Sequence, residues 1–457
     1  MRAFALTVVA LLLVATPALA QDASALRREI EQLRQQLQGL TERLQRLEAQ
    51  PAPPPAAPPP AQPAPAAQAP SNPSTQMSPV SPTELARPRQ PFSLYQQRGA
   101  GQLLFDIGIA GDFVGNLTQK NVEKAGGGTF AGRENRFFPR EIEVALFGQI
   151  DPYARGELRI ESGEEAAGDE MTVHLAEATL TLMTLPYGTQ VKLGQMRNRF
   201  GWSNAVHEHD LPWVDRPDVY RVFLGEEGLV EKGAEATWVP DFLPFYLQVL
   251  GGVFNGDNES AFGRGRINHP LATGRVMAFF DLTDTMALQV GASLANGETA
   301  ERLRSTLLGY DLKFKYRPEG WLHPLLTLAS EGIYSIRRVE RGLDFDGDGI
   351  FDAFQKQTKH RFGWYASAEL QPWRRWSLGA RYDATQYPVA PGWQWAVEPY
   401  VSFYPSEFLR FRLAYKHTDK SHRDVSDLLG NGGSSRLVDE LLFQATFILG
   451  AHPAHPF

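Results

Sequence analysis

The chain has 457 residues, a formal net charge of -7 and no cysteine. That excludes disulfides, thiolate metal sites, a cysteine nucleophile and a lipid-modified cysteine behind an export signal. Mild acidity argues against nucleic acid as a partner, and beyond the N-terminal segment no stretch approaches the ~18 apolar residues that a membrane helix needs.

Residues 1–20 read as a secretory signal: Arg2, an apolar run from Ala5 to Val14, then Ala18-Leu19-Ala20 as a small-residue cleavage site before Gln21. Residues 21–50 predict a coiled-coil helix. Leu26, Ile30, Leu33, Leu37, Leu40, Leu44 and Leu47 alternate spacings of four and three, an a/d seam, with helix-favouring Arg, Glu and Gln between them. A self-associating helix is expected, a trimer being the state that would match a trimeric pore; a lone amphipathic helix is the alternative. Residues 51–98 form a Pro/Ala-rich linker that builds no core. Extended at ~3.1 Å per residue, its first forty or so residues would reach about 100 Å.

Residues 99–457 predict an all-β fold, a transmembrane antiparallel β-barrel of about 16 strands. The clearest segment is Thr306–Arg317. Leu308, Tyr310, Leu312, Phe314 and Tyr316 occupy one face; Gly309, Asp311, Lys313, Lys315 and Arg317 occupy the other. Passes of this kind fall near 101–114, 138–150, 153–161, 172–184, 189–199, 229–239, 244–254, 273–282, 286–295, 305–317, 323–334, 361–371, 376–385, 393–404, 408–417 and 438–449. Connections alternate between short turns, such as Asp151-Pro152 and Pro186-Tyr187-Gly188, and long loops after the odd-numbered passes. Repeated so often, the pattern fits a barrel with lipid outside and water inside, both chain ends on the short-turn, periplasmic side. Tyr153, Tyr187, Trp238, Phe242, Trp321, Trp373, Trp376, Tyr404 and Phe408 flank that side as an aromatic girdle. In the last pass Leu441, Phe443, Ala445, Phe447 and Leu449 share one face, as barrel-assembly machinery generally recognises, ahead of a Pro-interrupted tail.

Three short motifs carry a family resemblance: Val191–Gly201 (VKLGQMRNRFG), Val253-Phe254-Asn255-Gly256 and Arg381-Tyr382-Asp383. The barrel resembles the phosphate-selective porin O/P family over about residues 100–450. The resemblance implies a sixteen-stranded, usually trimeric, anion-preferring channel. The basic ladder of phosphate-selective members is replaced here by mixed charges on the lumen face, including Glu141, Glu143, Glu161, Glu177, Lys313, Lys315, Glu331, Arg381, Arg410, Arg412 and Lys416. Opposed acidic and basic arcs would orient polar solutes by a transverse field.

The connection Gly201–Gly228 is rich in aromatic and charged residues, which suits a loop folded into the lumen as a constriction; an ordered external lid is the alternative. In the first case Arg197, Arg199, Arg216 and Arg221 supply its positive side. Glu208, Asp210, Asp215 and Asp218 supply the negative side, and Lys313, Lys315, Arg381, Arg410 and Arg412 of the lumen face are further candidate solute-binding residues. His207-Glu208-His209-Asp210 also offers metal-ligand chemistry, but no spaced third ligand stands beside it. Asp344, Asp346, Asp348, Ile350 (through its carbonyl) and Asp352 fit a D-x-D-x-D-G-x-x-D loop for a structural Ca2+. Gln355 stands at the twelfth position where an EF-hand has Glu.

The expected function is an outer-membrane porin, a passive channel for small hydrophilic solutes with an anion or phosphate preference, requiring no cofactor. An outer-membrane hydrolase on a barrel, or a tether from outer membrane to cell wall, are the rival readings. No Ser-His-Asp order, phosphate loop or His-Glu-x-x-His pattern favours an enzyme. Expected partners are outer-membrane lipid and lipopolysaccharide of a Gram-negative cell, two further copies in a homotrimer, barrel-assembly machinery and peptidoglycan, with the N-terminal region in the periplasm.

Overall fold

The computed structural model describes residues 104–164, 171–343, 353–420 and 436–450. The signal, heptad and Pro/Ala segments, the Asp344–Asp352 loop and the C-terminal tail lie outside the described residues.

Sixteen strands close into one antiparallel barrel. They are β1 (Leu104–Thr118), β2 (Arg136–Gln149), β3 (Ala154–Gly163), β4 (Thr172–Leu185), β5 (Thr189–Arg197), β6 (Val230–Trp238), β7 (Tyr246–Phe254) and β8 (Leu271–Thr283), followed by β9 (Met286–Glu298), β10 (Arg304–Tyr316), β11 (Leu325–Leu343), β12 (Ala353–Trp373), β13 (Trp376–Gln386), β14 (Trp393–Ser406), β15 (Leu409–Lys420) and β16 (Leu437–Gly450). A short helix, α1 (Lys120–Ala125), lies in the connection from β1 to β2. Every strand pairs with its sequence neighbours, and β1 closes the ring on β16 with Phe113 opposite Ala445. Closure leaves no sheet edge, so every backbone donor and acceptor of the wall has a partner strand.

All sixteen expected passes are strands. The main difference is at β11 and β12, which run together as far as the pair Leu343–Ala353, well beyond the expected ends. Polar alternation through Arg337–Arg341 and Lys356–His360 hides this extension, because a hairpin with solvent on both faces carries no hydrophobic period.

Side chains alternate as the pleat requires. On β10, Leu308 and Leu312 point outward and stay 43% and 41% exposed, while Asp311 between them is sealed inside. On β16, Leu441, Phe443 and Leu449 face out, and Glu440, Leu442 and Gln444 are buried within. Such an apolar exterior requires lipid around it. The short-turn end carries the exposed rings of Tyr153, Tyr187, Phe242, Trp321, Trp373 and Phe408.

One irregularity matters for the interior. The β1–β2 register shifts between Asp112 and Phe113, where Glu141 and Pro139 are the respective partners and Arg140 is the extra residue. This β-bulge switches parity, so Phe138, Arg140, Glu141 and Glu143 all turn inward. A strict period of two places Glu141 and Glu143 inside but not Arg140.

Candidate functional site

The long connection between β5 and β6 enters the barrel. It leaves at Gly201 and returns at Gly228, both with left-handed backbones (φ 70° and 72°) that a side chain would strain. A Cβ at Gly201 would also collide with the Tyr220 hydroxyl and Glu331, and one at Gly228 with Asn204. Two features then fix the fold of the segment. Asn204 accepts from Leu229 N and donates to Asn198 O, tying the two ends together. The helix α2 (Asp218–Leu224) follows Pro217, whose missing N–H costs nothing at a helix start.

Apolar packing brings the segment inside. Leu211, Trp213, Val214, Val219, Tyr220, Phe223 and Leu224 are buried in one cluster with inward residues of the wall, among them Val114, Phe138, Phe254, Leu307, Ile333, Tyr365 and Leu442. Trp213 packs edge-on against Tyr365, ring centroids 5.0 Å apart. At this level the interior is a packed core, where the strand pattern leads one to expect a polar, open lumen.

Charge decides the orientation. On one side, β2, β3 and β4 present Glu141, Glu143, Glu161 and Glu177. His207 lies between them, with Nδ1 2.9 Å from Glu143 and Glu161 and Nε2 2.8 Å from Glu177. His209 meets Glu141 at 2.8 Å and Asp210 at 3.0 Å. On the other side, β13 to β15 present Arg381, Arg410, Arg412 and Lys416. Asp215 takes Arg381 and Lys416, each at 2.6 Å. Asp218 takes Lys416 at 2.9 Å and the Gln394 amide at 2.7 Å. Arg412 donates to the carbonyl of Trp213 at 2.8 Å, and Arg410 donates to that of His209. A third anchor is Glu331 of β11, which accepts from Trp202 N and from the hydroxyls of Tyr220, Tyr365 and Ser203.

The segment's titrations follow from these partners. Burial and the Arg197 charge oppose protonation of His207, but the carboxylates of Glu143, Glu161 and Glu177 around its ring outweigh them and push its pKa up to about 10. His209 is raised in the same way, with Glu141 and Asp210 overcoming its burial. Burial alone would raise the Asp215 carboxyl. Arg381, Lys416 and Arg221 reverse this and hold it far below the usual carboxylate range. Two buried histidines and two buried aspartates are thereby charged on opposite sides of one interior.

The residues singled out from sequence fall into three places. Asp215, Arg381 and Arg412 are buried in the contact between segment and basic wall. Arg197, Arg216, Arg221 and Glu208 line a cavity of about 620 Å3 on the long-loop side, together with Thr129, Arg133, Arg140, Glu226 and Glu227. There Arg197 donates to the carbonyl of Glu227 at 2.6 Å, and Arg216 folds back on the carbonyls of Ser203 and Val206. Arg199 donates to Glu235, and Lys313 stands 4.3 Å over the Trp202 ring, both at half-buried positions. Lys315 is likewise half-buried on the inner face of β10, while Asp210 and Arg410 sit beside His209. Strand counting and composition do not single out Arg140, Tyr365 or Asn204. Glu331 is legible only as an acid at an inward position, not as an anchor of the segment.

Fold and site together define a sixteen-stranded, porin-like transmembrane barrel with an inserted segment. No family model matches the chain. It is similar to an uncharacterized protein of Aquifex aeolicus (strain VF5), 29% identical over 352 residues, covering 69% of each chain. Among solved structures it is similar to the outer membrane channel DcaP of Acinetobacter baumannii (9% identity, TM-score 0.49, covering 78% of this chain and 100% of that one). It is also similar to an anion-selective porin from Comamonas acidovorans (9%, TM-score 0.47, 76% and 98%) and to the trimer form of in-vitro folded OmpT, an outer membrane protein of Vibrio cholerae (10%, TM-score 0.45, 77% and 100%).

Proposed function

We propose that this chain is an outer-membrane porin, a passive channel for small hydrophilic solutes whose 201–228 segment is the constriction. The observation that supports it is the segment held across the interior between an acidic wall on β2–β4 and a basic wall on β13–β15, inside a barrel that is apolar outside. A solute passing the segment meets the charged cavity lining, Arg197, Arg216, Arg221 and Glu208 among it, so size and the local field filter it. No covalent chemistry is needed. An anion preference, and phosphate selectivity as its narrower form, are what the sequence resemblance implies. A trimer with its N-terminal region in the periplasm completes the reading.

Planar-bilayer recording of the full chain tests this. Steady conductance steps are expected, with a reversal potential under a KCl gradient shifted toward the chloride potential. Replacing chloride by phosphate distinguishes the two selectivities. A correctly folded barrel that stays electrically silent would overturn the proposal.

A further inference from the structure

Glu141 and Glu143 from β2 and Glu161 from β3 converge on His207 of the inserted segment. One ligand atom from each lies within 4.8 Å of the others, and all four side chains are buried. Glu143 and Glu161 are direct cross-strand partners, a placement that like charges oppose. Glu141, two residues before Glu143 on the same face of β2, adds a third carboxylate.

Protons are short here. His207 Nδ1 has one to give, while Glu161 Oε1 and Glu143 Oε2 both stand 2.9 Å away. Glu161 takes the hydrogen bond, and Glu143 Oε2 is left buried without one. Glu141 Oε1, 3.9 Å from the same nitrogen, already accepts from His209. More carboxylate oxygens converge than protons can satisfy, and a buried oxygen without a partner is costly.

We propose that Glu141, Glu143, Glu161 and His207 bind one divalent first-row metal ion, which displaces the Nδ1 proton of His207 to solvent and staples the inserted segment to β2 and β3. Bonds of about 2.0–2.2 Å in a tetrahedral shell put ligand atoms about 3.5 Å apart, so the four side chains close by up to about an ångström on the ion. The surroundings leave the right atoms available. Arg159 holds Glu143 Oε1 at 2.8 Å, leaving Oε2 for the ion. Glu177 holds His207 Nε2 at 2.8 Å, as an outer carboxylate orients a metal-bound imidazole through its far nitrogen. Three carboxylates and one imidazole suit Mn2+ or Zn2+; Ca2+ and Mg2+ prefer all-oxygen shells.

The test uses the full chain, folded in detergent and stripped with chelator. MnCl2 is titrated with free Mn2+ followed by electron paramagnetic resonance, and ZnCl2 by calorimetry. One ion per chain at micromolar or tighter affinity is expected. Glu143→Gln and Glu161→Gln should each weaken binding by about tenfold or more, and Asp241→Asn on a short turn should not. Should the glutamine variants fail to fold, anomalous diffraction at the zinc edge from wild-type crystals locates the ion directly. Absence of stoichiometric binding would sink the proposal, as would unchanged affinity in folded glutamine variants. A zinc peak elsewhere, for instance between Glu161, His174 and Glu227, would do the same.

Discussion

Asp215 and Arg381 meet inside the barrel, Oδ1 to Nη2 at 2.6 Å, with both side chains closed off from solvent. Arg381 comes from β13 and Asp215 from the inserted segment, so this pair joins wall to constriction. Lys416 takes the other Asp215 oxygen, and Glu398 stands 2.8 Å from the same Arg381 nitrogen. Asp215→Ala leaves Arg381 with Asp383 and Glu398, and Lys416 with Asp218. Breaking a buried pair from one side costs up to about 3–5 kcal/mol, and the remaining carboxylates lower that figure here. The denaturant midpoint in detergent should fall accordingly, and single-channel conductance should rise as the segment loosens. A variant as stable as the parent would show that the pair does not hold the segment.

The same anchor sets an acid limit. The Asp215 carboxyl is depressed in the folded protein, so its contribution is complete above the unfolded value of about 3.9. It is lost as pH falls through the lower folded value. Conductance attributable to this contact should therefore be the same at pH 7 and pH 5. Loosening should appear only in stronger acid, and Asp215→Asn should show it already at neutral pH.

Trp213 carries the apolar part of the docking. It is fully buried, with Tyr365 edge-on and the Arg381 guanidinium 5.1 Å from its ring centroid. Trp213→Ala should cost about 3–5 kcal/mol, read from equilibrium unfolding in detergent. Trp373→Ala at the exposed rim provides a comparison that leaves the same midpoint nearly unmoved.

Entry of the segment depends on Gly201. Its left-handed backbone disfavours any side chain, and a Cβ would strike Tyr220 and Glu331. Gly201→Ala should cost more than about 1 kcal/mol and raise the frequency of brief conductance fluctuations. Quiet traces with wild-type step size would contradict this.

The wall itself separates lipid from interior at adjacent residues. Leu312→Arg puts a cation on the outer face of β10 and should cost about 2–4 kcal/mol near mid-membrane, measured by reversible folding into vesicles. If the cost is absent, the outer face does not meet lipid where the pleat puts it.

Much of the wall is legible in the chain itself. Thr306–Arg317 shows two faces with one period, and a strand has only two sides, so Leu312 and Asp311 are placed by counting. Alternating turn lengths then give the antiparallel ring. Counting fails where the pleat breaks: the bulge at Arg140 puts Phe138 and Glu141 on one side although their spacing is odd. It also fails where a strand is wet on both faces, as at the far ends of β11 and β12.

The constriction is only half legible. Composition marks Gly201–Gly228 as a segment worth folding inward, and the opposed acidic and basic arcs are visible on the wall. What no local pattern holds is the pairing of one with the other. His207 finds glutamates 30 to 66 positions away in sequence, and Asp215 finds Arg381 and Lys416 at separations of 166 and 201. Strand periodicity is a property of neighbouring residues, and it determines the barrel, its inside and its outside. Which buried charge meets which depends on the closure of sixteen strands around one segment, and only the assembled ring brings those side chains within reach.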